Sequence, residues 1–182
     1  MRSSNPALPD GEALRRAEVT ARAQGSGVGA GDLPGLWRFD QVWPRKGGES
    51  SGAAAGLLRA LQASLEIVPA AAEQAMALRN RVRLGALELC FEGEAELVGR
   101  RPLLRFWFHR WQLRLGDRNL LERPLAKPPE RSLPFFALIA RGTDGAGGAW
   151  LAARGRGGGL ALWRRAAAGG TKPALQDQET TP

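Results

Sequence analysis

The residues that could do chemistry in this chain are few. There is one histidine, His109, and one cysteine, Cys90, among 182 residues. A disulfide within the chain is therefore impossible, and a Cys/His zinc site is almost as firmly excluded. A Ser–His–Asp triad would have to run through His109, which stands in a Trp/Arg-rich stretch with no acid beside it to orient the ring. Glu92, Glu94 and Glu96 alternate along one strand face, but the spacing of a calcium loop is missing. The run Gly155–Arg156–Gly157–Gly158–Gly159 lacks the Lys-Ser/Thr of a phosphate-binding P-loop and reads as a permissive turn. No catalytic residue, metal ligand or cofactor is expected, and the function is expected to be non-enzymatic binding.

What the chain does carry is positive charge and aromatic rings. The formal net charge is +8, supplied almost wholly by arginine, since lysine occurs only at 46, 127 and 172. Between Gly99 and Arg141 ten Lys/Arg face only three acids. Arg100, Arg101, Arg105, Arg110 and Arg114 are candidate contacts to an anionic surface. Phe106, Trp107 and Trp111 interleave with them. This mixture suits two partners: the headgroups of an acidic membrane, or single-stranded nucleic acid stacked on aromatics, with 100–118 as the binding stretch. The absence of tyrosine and of any single-strand-binding signature weighs against the second.

The elements that must position these residues follow a period of two. Met76, Leu78, Val82 and Leu84 share one face, with Arg79, Arg81 and Arg83 on the other. Leu87, Leu89, Phe91, Ala95 and Leu97 alternate with Glu88, Cys90, Glu92, Glu94 and Glu96. These read as an antiparallel pair around Gly85 with arginine opposite glutamate on the wet face. In 103–115 the phase slips near His109–Arg110, as a β-bulge does. Further strands are expected at 118–124, 135–140 and around the turn at 154–159. Leu57 to Val68 fits a helical turn or loop running into a strand. A helix is expected from about Asp10 to Gln24, capped by Asp10. The glycine-rich 25–32 reads as a linker, so 1–32 should be peripheral and dispensable. Residues 33–165 form the domain, and 166–182 a disordered tail. No apolar run is long enough for a membrane-spanning helix. No secretory pattern stands at the N-terminus.

Leu33-Pro34-Gly35-Leu36-Trp37 enters the first strand, and Leu151, Arg154, Gly155, Gly158, Leu160 and Leu162 frame the last hairpin. Together they resemble the opening and closing elements of the plastid lipid-associated protein family, or fibrillins, of plastids and cyanobacteria. The resemblance covers about 33–165. It implies a mainly β fold: an antiparallel lipocalin-like β-barrel, here with a short N-terminal helix. It also implies binding of lipid or isoprenoid ligands, with the protein cytoplasmic or peripheral to a thylakoid membrane. Such a barrel can hold one apolar ligand, and Trp37, Phe39, Phe106, Trp107, Trp111 and Trp150 are the expected lining. A bilin-attaching lyase also uses this barrel type, but its acid and aromatic signatures are missing. Arg154, Gly155 and Gly158 are expected to close the structure. Leu151 and Ala153 facing inward would put Arg154 outside. In the opposite phase Arg154 would enter the barrel mouth, pair with Asp40 or Asp32, and tie the first strand to the last.

Overall fold

The computed structural model describes residues 7–45, 63–70 and 75–167. Among these residues one α-helix, α1 (Gly11–Gln24), precedes nine strands: β1 (Gly35–Trp43), β2 (Ser64–Pro69), β3 (Ala75–Leu84), β4 (Leu87–Val98), β5 (Leu103–Leu115), β6 (Arg118–Pro124), β7 (Phe135–Thr143), β8 (Ala149–Gly155) and β9 (Leu160–Arg165). The Asp10 side chain accepts from the Ala13 amide at 2.7 Å and starts the helix. Every strand pairing is antiparallel, in the order β4-β3-β2-β1-β9-β8-β7-β5-β6, and β4 also pairs with β5. The sheet thus closes in a ring of eight strands, with β6 as a flap on β5. Closure joins the first strand to the last, with Trp37 opposite Arg165 and Trp43 opposite Leu160.

The inner face holds the main core. Trp37, Leu65, Ile67, Met76, Leu78, Leu104, Phe106, Leu138, Leu151 and Trp163 belong to it. A second apolar layer lies outside the ring, where the alternation of β8 and β9 places Ala152, Leu160 and Leu162, and two bulges add to it. At Asp40 the register of β1 against β9 shifts, so Trp37 and Phe39 face inward while Trp43 faces outward. At Ile139 the same happens on β7: Leu138 is inside, Ile139 and Ala140 outside. Helix α1 covers this outer layer with Leu14 and Ala17 against Trp43, Ile139, Ala152, Leu160 and Leu162.

Residues within 1–32, expected to be peripheral, are packed here. Leu14 and Ala21 are buried, and Val28 and Leu33 enter the main core itself. Alternation on β8 and β9 puts Ala152, Leu160 and Leu162 on the outer face, the bulges on β1 and β7 add Trp43 and Ala140, and the helix packs over them. The strand at 64–69 is as expected, whereas residues 57–62 of that stretch and 168–182 of the expected tail lie outside the described residues.

Candidate functional site

The ring interior is filled at its middle. Phe106 stacks on Phe136 with centroids 5.1 Å apart, and Phe136 meets Trp163 edge-on at 5.2 Å. The space left among Trp37, Leu65, Leu104, Phe136, Leu151 and Trp163 is about 10 Å³, no more than one water needs. Of the expected pocket lining, Trp37, Phe39 and Phe106 do face inward, as core. Trp107 does not: it follows inward-facing Phe106 and lies outside, with the Lys127 ammonium 3.5 Å from its ring centroid. Trp150 also lies outside, packed in the layer under α1. Trp111 is on the inner face, paired with Phe91, because His109 is the extra residue of a bulge that restores inward phase after Phe108.

The inner face does not stop where the ring does. Strands β3, β4 and β5 run 10, 12 and 13 residues, while β2 has six and its pairing with β3 ends at Ser64–Arg81. Strand β5 pairs with β7 only over Leu103–Arg105. Among the described residues, the ends of β3 to β6 beyond those limits stand as an open wall. The register aligns Val82, Leu89, Leu113 and Leu121 in one row, and Leu84, Leu87 and Leu115 in the next. Opposed side chains in such rows lie about 5 Å apart and form continuous surface. Leu84 is 62% exposed, Leu115 47%, and Leu87 and Leu121 39% each. Contiguous exposed leucines mark contact surface, where isolated ones would not. Arginine edges the wall on β6: Arg118 is opposite Leu115, and Arg123 opposite Trp111. The sequence reading assigned Leu84, Leu87 and Leu89 a common apolar face but no role. The signal was length, since the alternation persists over more residues than the neighbouring strands can cover.

The reverse face of the same strands is a ladder of ion pairs. Arg105 meets Glu96 at 2.7 Å, Arg110 meets Glu92 and Glu122, and Arg114 is 3.9 Å from Glu88. Arg79 and Arg83 reach Glu92 and Glu88 from β3. The Arg110 hydrogen bond holds the Glu92 carboxyl below its ordinary range, against a smaller opposing effect of burial. Three of the arginines expected to meet an anionic surface, 105, 110 and 114, are thus matched with acids of β4. Arg101 lies 3.6 Å from Glu18, and Arg100 is exposed in the β4–β5 turn. The basic excess in 99–141 is real in the sequence, but much of it is neutralised across the sheet by a segment that precedes it. Cys90 is buried within this ladder, and burial together with Glu92 pushes its thiol up, away from reactivity.

The closing residues are rearranged relative to expectation. Arg154 points outward, with Leu151 and Ala153 inward. Its partner is Glu18 of α1, held by Nε at 2.6 Å and by Nη2, and its Nη1 donates to the Gly158 carbonyl at 2.6 Å. Neither Asp40 nor Asp32 takes part; Asp32 pairs with Arg141 at 2.9 Å. Gly158, at φ +85°, makes the turn. The arginine that joins first strand to last is Arg165. Its guanidinium lies 5.0 Å from the Trp37 ring centroid and donates to the Asp32 and Pro34 carbonyls. Trp37 in turn donates from Nε1 to the Leu33 carbonyl at 2.7 Å. The Leu-x-Gly-x-Trp element is therefore a folded unit. The tryptophan caps its own lead-in, and Gly35, at φ +139°, leaves room for Arg165, whose Nε would lie 2.9 Å from a Cβ there.

Among the described residues no group of three His, Cys, Asp or Glu could hold a metal ion, and no helix is long and apolar enough to cross a membrane. His109 is exposed at its bulge. No protein-family model and no curated protein sequence matches the chain.

Proposed function

We propose that this chain is a lipocalin-like β-barrel of the plastid lipid-associated kind that binds lipid or isoprenoid ligands without catalysis, at the periphery of a photosynthetic membrane of cyanobacterial type. The leucine wall is the observation that carries this reading. The packed ring interior leaves little room for a ligand, so the apolar contact belongs on the open rows of β3 to β6, with Arg118 and Arg123 placed for anionic headgroups. Covering a half-exposed leucine returns about 1 kcal/mol. Leu84, Leu87, Leu115 and Leu121 together then supply about 4 kcal/mol, the scale of millimolar attachment. Charge attraction at about 1 kcal/mol per arginine brings this to a reversible peripheral association. The alternative, a nucleic-acid-binding protein using 100–118, is weakened by the pairing of Arg105, Arg110 and Arg114 with glutamates.

Flotation with phosphatidylcholine vesicles, with and without phosphatidylglycerol, tests the proposal. The protein should float with both, more completely with the anionic lipid. Leu84→Asp/Leu115→Asp, at exposed positions, should abolish flotation while keeping the urea midpoint. Undiminished flotation of that variant, or none by the unmodified protein, refutes the wall as a lipid surface.

A further inference from the structure

A second charged feature lies beside α1, at the opposite ends of β4 and β5 from the leucine wall. Arg22, Arg45, Arg101, Arg154 and Arg156 line a groove of about 560 Å³, and no acid is among its described lining residues. The five come from α1, the end of β1, the β4–β5 turn, β8 and the β8–β9 turn, so the cluster exists only in the folded chain. Like charges gathered this way repel one another unless an anion sits among them. One resident anion is present. The Glu18 carboxylate accepts from Arg154 and from Arg22 (2.8 Å), with Arg101 at 3.6 Å. Among the described residues, one carboxylate faces five guanidinium groups.

One donor of the cluster is left over. The Arg101 Nε is buried and has no hydrogen-bond partner among the described residues, a costly state for an N–H group. Arg156 donates to the Leu133 and Arg131 carbonyls, which orient it without neutralising it. The Arg45 stem packs over Gly158, where even an added Cβ would lie 2.7 Å from Arg45 Cδ, and this steers its head towards the groove. Guanidinium forks match the oxygens of phosphate in pairs, which a point charge does not. Phe135 gives the groove an apolar side.

The geometry points to a binding site in this groove for a multiply charged phosphate: pyrophosphate, or a phosphate ester with a compact organic part. Glu18 keeps three arginines gathered when the site is empty, and the ligand takes the donors Glu18 leaves over. The site is separate from the leucine wall and does not depend on its role.

Titration calorimetry of the full chain with inorganic pyrophosphate at low salt is the test, with inorganic phosphate alongside. Pyrophosphate should bind at least tenfold more tightly than phosphate. Arg45→Ala and Arg101→Gln should each weaken it tenfold or more, and Arg45→Ala, at an exposed position, should melt as the unmodified protein does. Vesicles carrying phosphatidic acid separate the possible sources. Binding to them that Arg45→Ala abolishes, without heat from pyrophosphate, assigns the site to a lipid headgroup; heat from pyrophosphate assigns it to a soluble ligand. Leu84→Asp/Leu115→Asp should leave the pyrophosphate titration unchanged. Binding of neither probe, or binding that neither arginine substitution weakens, overturns the proposal.

Discussion

Replacing Arg154 with methionine tests how α1 is fastened to the ring. The substitution keeps most of the aliphatic stem but removes the two-pronged contact to Glu18 and the donation to the Gly158 carbonyl. The Glu18 side chain is only 7% exposed and that of Arg154 19%, so solvent screens the pair weakly. Breaking a buried pair by removing one partner costs about 3–5 kcal/mol. Glu18 would keep Arg22, whose side chain is 57% exposed, and the more distant Arg101. That residual compensation lowers the expected loss to about 2–3 kcal/mol at neutral pH. With a urea slope of about 2 kcal/mol/M, the midpoint should fall by about 1–1.5 M. Arg156→Ala removes an exposed side chain that bonds only backbone carbonyls, and should cost less than about 1 kcal/mol. The pH dependence follows from Glu18. Burial alone would raise its carboxyl, but Arg154 and Arg22 outweigh burial and hold it below the ordinary glutamate range. A group depressed in this way stabilises the fold fully above its unfolded value, and that stability is lost as pH falls through the folded one. The gap between the unmodified protein and Arg154→Met should therefore close in acid. Equal small shifts for Arg154→Met and Arg156→Ala, or a gap unchanged at about pH 2.5, would refute the pairing.

Starting the chain at Gly25 should lower the urea midpoint further than Arg154→Met does, because it also uncovers Trp43, Ile139, Leu160 and Leu162; a midpoint equal to that of the full chain would make the helix an ornament. Trp37→Phe leaves the Leu33 carbonyl without its indole donor and should cost about 1–2 kcal/mol in thermal unfolding, and a smaller loss would deny the indole its part in the opening element.

The alternation of apolar residues in 75–84 and 87–97 was enough to assign two strands and their inner faces, because a strand's period of two is a local property. The bulge at His109 was legible for the same reason: the phase of the apolar residues changes across it. The bulges at Asp40 and Ile139 were not. In 37–43 and 135–140 both parities carry apolar residues, and nothing local distinguishes a flip in direction from a strand buried on both faces.

Net charge, the N-terminal helix and the closing turn were settled by residue types and near neighbours. Which charges survive in space was decided by strand pairing, since β4 brings its glutamates against the arginines of β5. Where the leucines of β3 to β5 end up was decided by the lengths of other strands, because the shortness of β2 and the early departure of β7 leave that face uncovered among the described residues. The partner of Arg154 is 136 residues away in the chain, and its pairing with Glu18 and not Asp40 follows from the outward phase of β8 and the docking of α1 on the outer apolar layer. Local periodicity determines which face a side chain takes within its strand; closure of the ring and docking of the helix determine what that face meets.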